Sequence, residues 1–299
     1  MKIVLLGANG QVGRELARVL PAIGDVVACD RAAADLERPD DVVALLARER
    51  PAAIVNAAAY TAVDRAETES DRADLVNATA VAAIAAEAAR QDALFVHYST
   101  DYVFDGESPG AYRETDEPRP LSVYGRTKLA GERAIAAAGG RHVIFRTSWV
   151  YSPHGTNFLR TILRLAGERD ELAVVADQRG VPTAAALVAE VTAEVLRRSR
   201  DPARAVAGGI YHLAPRGETT WHGFAELVLA EAAAAGLPLR ARPGSIRPLT
   251  TAEYPTAARR PANSLLSTAK LEAALARALP RWEDAVRETV AILAGATGR

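Results

Sequence analysis

A short apolar run, Ile3 to Leu6, passes directly into Gly7-Ala8-Asn9-Gly10-Gln11-Val12-Gly13 and then into the helical pattern RELARVL. Strand, glycine turn and helix in that order constrain the chain more than any other feature, because together they open a βαβ unit. Gly7 permits the tight turn, Gly10 lets a pyrophosphate approach the backbone, and Gly13 lets helix and strand pack closely. The N-terminus of the helix offers unpaired N–H groups and a positive dipole end to that anion, which makes Gln11 and Val12 part of the same candidate site. The spacing is Gly-x-x-Gly-x-x-Gly, not the Gly-x-Gly-x-x-Gly of most two-domain dehydrogenases. A glycine turn without a ligand is the alternative, and its position between strand and helix argues against it.

The pattern that follows bears this out over the first half. Strands are expected near 2–6, 25–29, 53–56, 93–98 and 142–146, and helices near 11–20, 39–49, 70–91 and 121–138. Such alternation predicts an α/β fold, a Rossmann-type doubly wound parallel sheet with helices on both faces. Asn77 interrupts the alanine-rich helix near 70–91, where it is either a satisfied structural amide or a relay towards the active site. After residue 150, glycine, proline and short polar stretches alternate with helices near 157–167, 184–199, 221–235 and 281–294 and strands near 172–175 and 210–213. The expected division is a dinucleotide-binding domain over 1–150 plus elements near 172–213. A smaller, interleaved substrate-binding part would span about 151–171 and 214–299.

Charge narrows the partners. Lys and Arg number 36 against 37 Asp and Glu, so no global field gathers nucleic acid or an anionic membrane, and a polyphosphate must be held by local groups. The single cysteine, Cys29, fits a reducing cytoplasm and lies in a predicted strand. The N-terminus runs straight into a strand with no leader pattern, and charged residues interrupt the apolar stretches, so no transmembrane span is expected. The five histidines show no metal-ligand spacing.

The second strand ends in Asp30, about where an acidic residue commonly bonds an adenosine ribose. Asp30 repels a 2′-phosphate and favours NADH, whereas Arg31 would accommodate one and favour NADPH; both remain open. Asp35 and Leu36 complete this half of the candidate cofactor site. Chemistry is suggested by Tyr124 and Lys128 in VYGRTKLAGE, four residues apart and therefore on one helical face. A lysine cation there is expected to pull the phenol's pKa down towards neutrality, equipping it to exchange a proton with a carbonyl or carbinol oxygen. In an open α/β sheet, ligands sit beyond the carboxyl ends of the strands. The loops after the first, third, fourth and fifth strands begin at Gly7, Ala57, Ser99 and Thr147, which places Thr100, Tyr124 and Trp149 around one cleft.

Together GANGQVG at 7–13, NAAAYTAVD at 56–64, STDYVFDG at 99–106, YGRTK at 124–128 and RTSWVY at 146–151 resemble the extended short-chain dehydrogenase/reductase family. The resemblance continues through DQRGVPT, TTWHGFAEL and YPTAARRPANS, over nearly the whole chain. It implies reduction, with NADPH or NADH, of the 4-keto group of a dTDP-4-keto-6-deoxy sugar. Tyr124 would be the proton donor, Lys128 would also bind the nicotinamide ribose, and Thr100 would stand at the family's Ser/Thr position. For the sugar nucleotide the resemblance points to Thr100, Asp101 and Trp149, with Arg260 a candidate for the diphosphate. Tyr98 and the Ala59-Tyr60-Thr61 turn are expected beside the cofactor, with plain strand-end packing as the alternative.

Some similar reductases dimerise through a divalent metal such as Mg²⁺. Glu15 matches one ligand, but Ala186 and Ile292 stand where its carboxylate partners would be, so no metal and a monomer or metal-independent homodimer are expected. Two other readings compete. An epimerase or dehydratase of the same family would recycle NAD, although Asp101-Tyr102 after Thr100 lacks a dehydratase's acidic pair. A non-catalytic regulatory subunit, like that of methionine adenosyltransferase, resembles these reductases over much of its length.

Overall fold

The computed structural model describes residues 1–297. Its first half runs β1 (Lys2–Leu6), α1 (Gln11–Val19), β2 (Asp25–Cys29), α2 (Pro39–Glu49), β3 (Ala53–Asn56), the short α3 (Val63–Ala66) and α4 (Ser70–Asp74), α5 (Ala80–Arg90), β4 (Leu94–Thr100), α6 (Val123–Ala137) and β5 (His142–Thr147). The second half continues through β6 (Val150–Tyr151), α7 (Phe158–Glu168), β7 (Leu172–Val175), β8 (Arg179–Gly180), β9 (Thr183–Ala184), α8 (Ala185–Arg198), β10 (Gly209–His212), β11 (Thr219–Thr220), α9 (Trp221–Ala234), β12 (Ile246–Leu249), α10 (Ala269–Leu275) and α11 (Trp282–Thr297).

Six strands form one parallel sheet in the order β10-β5-β4-β3-β1-β2. Chain progression reverses between β1 and β3, and at such a switch point an open sheet leaves a crevice beyond its carboxyl ends. The register lines up those ends: Leu6 lies beside both Cys29 and Asn56, Asn56 beside His97, and Thr100 beside Thr147.

Side chains alternate across the sheet. Ile3, Leu5, Val55, Val96 and Phe145 face α1, α8 and α10, while Val4, Leu6, Ile54, Phe95 and Ile144 face α2, α5 and α6. Each such apolar side chain, fully buried, contributes about 1.5–3 kcal/mol. A third cluster, including Tyr151, Leu159, Val174, Phe224, Val228 and Trp282, forms the core of the second part.

Three sequence expectations are revised. β7, expected with the central sheet, pairs instead in parallel with β12, because Leu172 and Val174 point into the third core; α8 and β10 do complete the central unit. β4 runs on to Thr100, two residues further than the apolar run suggests. The helix near 70–91 is divided by a π-turn over Leu75–Thr79 that holds Asn77. Elsewhere, α6 starts where Ser122 caps it, its Oγ accepting from the Gly125 N–H at 3.1 Å. Among the described residues no helix is long and apolar enough to cross a membrane.

Candidate active site

At the glycine turn the backbone leaves no room for side chains. Gly7 has φ +77°, and a Cβ there would lie 2.6 Å from the Ala58 nitrogen; one on Gly13 would lie 2.0 Å from the Gly7 carbonyl oxygen. Gly10 caps α1 without a side chain, and no acidic residue stands in the first turn, so no side chain of the cap bonds the first N–H groups. That cradle fits a dinucleotide pyrophosphate. Beside it a cleft of about 470 Å³ is lined by Ala8, Asn9, Arg14, Ala17, Ala28 and Asp30.

Asp30 sits on this cleft. Its Oδ1 accepts from the Ala32 and Ala33 N–H groups at 3.0 and 3.1 Å, and its Oδ2 from Asn9 Nδ2 at 3.1 Å. Arg31 is held in ion pairs with Glu37 and Asp35. Arg72 also binds Glu37, at 2.8 Å, which anchors that carboxylate. Asp35 turns its Oδ1 to the Glu37 N–H at 3.1 Å, and Leu36 lies in the core under α2. Gln11 reaches across the turn, where its Oε1 accepts from Asn157 Nδ2 at 2.9 Å; Val12 packs at the edge of the core.

Tyr124 lies in the first turn of α6, and Thr100 ends β4, close enough for its hydroxyl to lower the Tyr124 phenol. Thr100 in turn donates to Asp101 Oδ1 at 3.0 Å. Tyr102 packs edge-on against the Tyr124 ring at 5.6 Å, and its hydroxyl accepts from Arg260 Nη1 at 3.1 Å. Arg260 is also paired with Asp64 at 2.6 Å, so it stands at the rim of the proton-donor site. Burial pushes Asp101 up to about 6, against lowering hydrogen bonds from Ser264 and Thr100.

From sequence, Lys128 is expected to pull the Tyr124 phenol down; the structure corrects this. Desolvation pushes the phenol above its usual range, the Thr100 hydrogen bond lowers it, and nearby Asp101 and Tyr102 raise it further. The Lys128 amine instead faces the floor of the site, with Nζ 3.0 Å from His97 Nε2. Burial lowers it to about 8, with Glu132 acting the other way.

A buried ion pair positions α6. Arg146 of β5 meets both carboxylate oxygens of Glu132, at 2.9 and 2.6 Å, each side chain only 2% exposed. Its guanidinium also lies 5.1 Å above the Phe104 ring, which stacks on Tyr112 and so ties the loop after β4 to the same point. Glu132 falls one turn beyond Lys128 and two beyond Tyr124.

Trp149 has φ +47°, a left-handed conformation that a bulky residue rarely adopts and that costs about 1–3 kcal/mol. Its indole stacks on Trp221 at 3.8 Å, and Gly180 approaches so closely that a Cβ there would lie 2.5 Å from the Trp149 ring.

Other expected residues are placed differently. Tyr98 is a core residue rather than an open cofactor neighbour: its ring lies against Phe145, and its hydroxyl meets Thr192 of α8 at 2.8 Å. Ala59, Tyr60 and Thr61 do lie in the loop after β3, but the Tyr60 hydroxyl donates to Glu69 at 3.0 Å. Asn77 is a satisfied structural amide, bonded to the Tyr60 N–H and carbonyl at 2.9 and 3.0 Å and to Thr127 at 3.2 Å. Glu15 is buried against Arg18 at 3.2 Å. Tyr102, Trp221, Gly180, Asn56 and His97 shape the site without having been singled out for it. His97, a polar residue directly after the apolar run 94–96, carries a sequence signal, as does Asn56 at the end of the run 53–55.

A parallel sheet of this order, with a glycine cradle at its switch point and a Tyr-x-x-x-Lys helix facing a strand-end hydroxyl, defines a short-chain dehydrogenase/reductase of the extended type. The model of the RmlD substrate binding domain family matches residues 1–294. A dTDP-4-dehydrorhamnose reductase of Burkholderia thailandensis is 48% identical over 295 residues, covering 96% of this chain and 97% of that protein. Among solved structures, a dTDP-4-dehydrorhamnose reductase of Clostridium acetobutylicum superposes with a TM-score of 0.90 at 34% identity, over 98% of this chain and 99% of that one. The Bacillus anthracis dTDP-4-dehydrorhamnose reductase, in complex with NADP, gives 0.88 at 32% identity over 96% and 98%. The chain belongs to the dTDP-4-dehydrorhamnose reductase family.

Proposed function

We propose that the protein reduces the 4-keto group of dTDP-4-dehydro-6-deoxy-L-mannose (dTDP-6-deoxy-L-lyxo-4-hexulose) to give dTDP-L-rhamnose, the last step in forming that sugar nucleotide, in the cytoplasm. The observation that carries this reading is the placement of Tyr124 in the first turn of α6, one helical turn before Lys128, with Thr100 at the carboxyl end of β4 and the glycine turn at the carboxyl end of β1 in the same parallel sheet. Bound NAD(P)H supplies the hydride that reaches sugar C4. Tyr124 gives its phenolic proton to the C4 oxygen. Thr100 would turn its one hydroxyl proton from Asp101 Oδ1 to that oxygen and align the phenol, and Lys128 would serve the nicotinamide ribose and the returning proton. Asp101 accepts from sugar hydroxyls, Trp149 covers an apolar sugar face, and Arg260 stands near the diphosphate. NAD(P)H oxidation that depends on the dTDP-4-keto sugar tests the assignment. Binding without oxidation would favour a regulatory subunit, and isomerisation without net oxidation an epimerase.

Three expectations follow from the same assignment. Asp30→Asn keeps an acceptor for Ala32 and Ala33 but removes the charge. Carboxylate–phosphate repulsion at a partly exposed site is worth about 1 kcal/mol or more, so kcat/KM should shift towards NADPH by roughly five- to tenfold. A shift towards NADH would show that Asp30 does not face the ribose.

Gly180→Ala should displace the Trp149 indole and raise KM for the sugar nucleotide about tenfold, the worth of a good aromatic contact. NADPH affinity should stay unchanged, and an unaltered sugar KM would count against Trp149 in the substrate site. Finally, with Ala186 and Ile292 in place of carboxylates, Glu15 alone offers too few oxygen ligands for Mg²⁺. EDTA should leave activity and the mass of a monomer or metal-independent homodimer unchanged; loss of dimer mass restored by Mg²⁺ would contradict this.

A further inference from the structure

Beneath the reacting groups runs a chain of hydrogen bonds with a fixed polarity. The Ala58 N–H donates to Asn56 Oδ1 at 3.1 Å, which orients the amide and turns Nδ2 towards His97 Nδ1, 3.3 Å away. An amide nitrogen only donates, so Nδ1 must accept. Burial holds His97 neutral, well below its usual range, and a neutral imidazole carries one proton. That proton is therefore on Nε2, the atom 3.0 Å from Lys128 Nζ. An Nε2–H can donate to the lone pair of a neutral amine but cannot accept from an ammonium.

We propose that Asn56 and His97 are positioning residues that set the protonation of Lys128: they fix the imidazole as its Nε2–H tautomer and so favour the neutral amine. Burial already disfavours the ammonium, and among the described residues no other charged side chain near the lysine adds to that bias. Glu132 of its own helix favours the charged form and is itself held by Arg146 of β5. Asp101 and Tyr102 beyond β4 act on Tyr124. The π-turn presents the neutral Asn77, Glu67 beyond α3 accepts from the Val123 N–H, Asp64 of α3 holds Arg260, and Glu87 of α5 pairs with Arg90. Lys128 can then cycle between amine and ammonium near neutral pH, as a group that returns a proton to Tyr124 must. The link to turnover rests on the role given to Lys128 above; the tautomer does not.

The test reads the free protein first. With ¹⁵N-labelled histidine, His97 should show a protonated Nε2 and an unprotonated, hydrogen-bonded Nδ1 near neutral pH. The chain has three lysines, Lys2, Lys128 and Lys270, so labelled Cε signals can be followed singly by NMR. Lys128 should titrate at or below about 8. In His97→Gln, an amide that can turn its oxygen to the ammonium should raise the midpoint by about one pH unit or more. An Nδ1–H tautomer in the wild type, or a midpoint unmoved in His97→Gln, overturns the proposal; the wild-type tautomer decides even if the variant does not fold. The alkaline limb of kcat should follow the Lys128 midpoint. If the midpoint moves and the limb does not, the hydrogen-bond chain stands and the catalytic role of Lys128 falls.

Discussion

Replacing Tyr124 with phenylalanine is expected to leave the fold intact and to lower kcat by about 10²–10⁴, the usual worth of a positioned general acid. The ring keeps its edge contact with Tyr102, and α6 keeps its Ser122 cap, so packing and helix placement do not depend on the hydroxyl. What disappears is the transferable proton opposite Thr100. Because desolvation at this half-buried position favours the neutral phenol, it is protonated throughout the working pH range and ready to donate. KM for the sugar nucleotide and affinity for NADPH should change little beside the loss in kcat. Near-wild-type kcat would remove Tyr124 from the mechanism.

Arg146→Leu should be the most destabilising single change considered, by about 3–5 kcal/mol, because it strands the Glu132 carboxylate in the interior. Both side chains are 2% exposed and joined by two hydrogen bonds, so water cannot replace the lost partner without opening the seam between α6 and β5. The double variant Arg146→Leu/Glu132→Leu should recover most of the loss, since no charge then remains buried. Urea unfolding measures both. A single variant within about 1 kcal/mol of wild type would mean that the pair does not anchor the catalytic helix.

Much of this architecture was legible because it rests on local signals. The glycine turn is bounded by a strand and a helix, and its three glycines sit where the backbone has no space for a Cβ. The alternation of apolar runs located the main strands to within one or two residues. Pairing of short strands was not legible: the four residues of β7 say that it is buried, but not that β12, more than seventy residues on, is its partner.

The site divides in the same way. Residue types and spacing singled out Tyr124, Lys128 and Thr100, yet the spacing of tyrosine and lysine carries no information about burial. Burial raises the phenol and lowers the amine, which turns to His97 rather than to the tyrosine. Tyr98 was misplaced for a related reason: at the end of a strand buried on both faces, nothing local shows that Thr192 of α8 will meet its hydroxyl. The left-handed Trp149 depends on Gly180 and Trp221, which are remote in sequence.

The central claim is net hydride transfer to sugar C4 with the proton supplied by Tyr124. It is tested most directly with NADPH in which both hydrogens at nicotinamide C4 are deuterium, together with the dTDP-4-keto sugar, reading the product by NMR and mass spectrometry. The account predicts one deuterium, at C4 of a dTDP-6-deoxyhexose, with one cofactor oxidised per sugar reduced and the label transfer lost in parallel with kcat in Tyr124→Phe. Product without deuterium at C4, or epimerised sugar with no cofactor consumed, would contradict it.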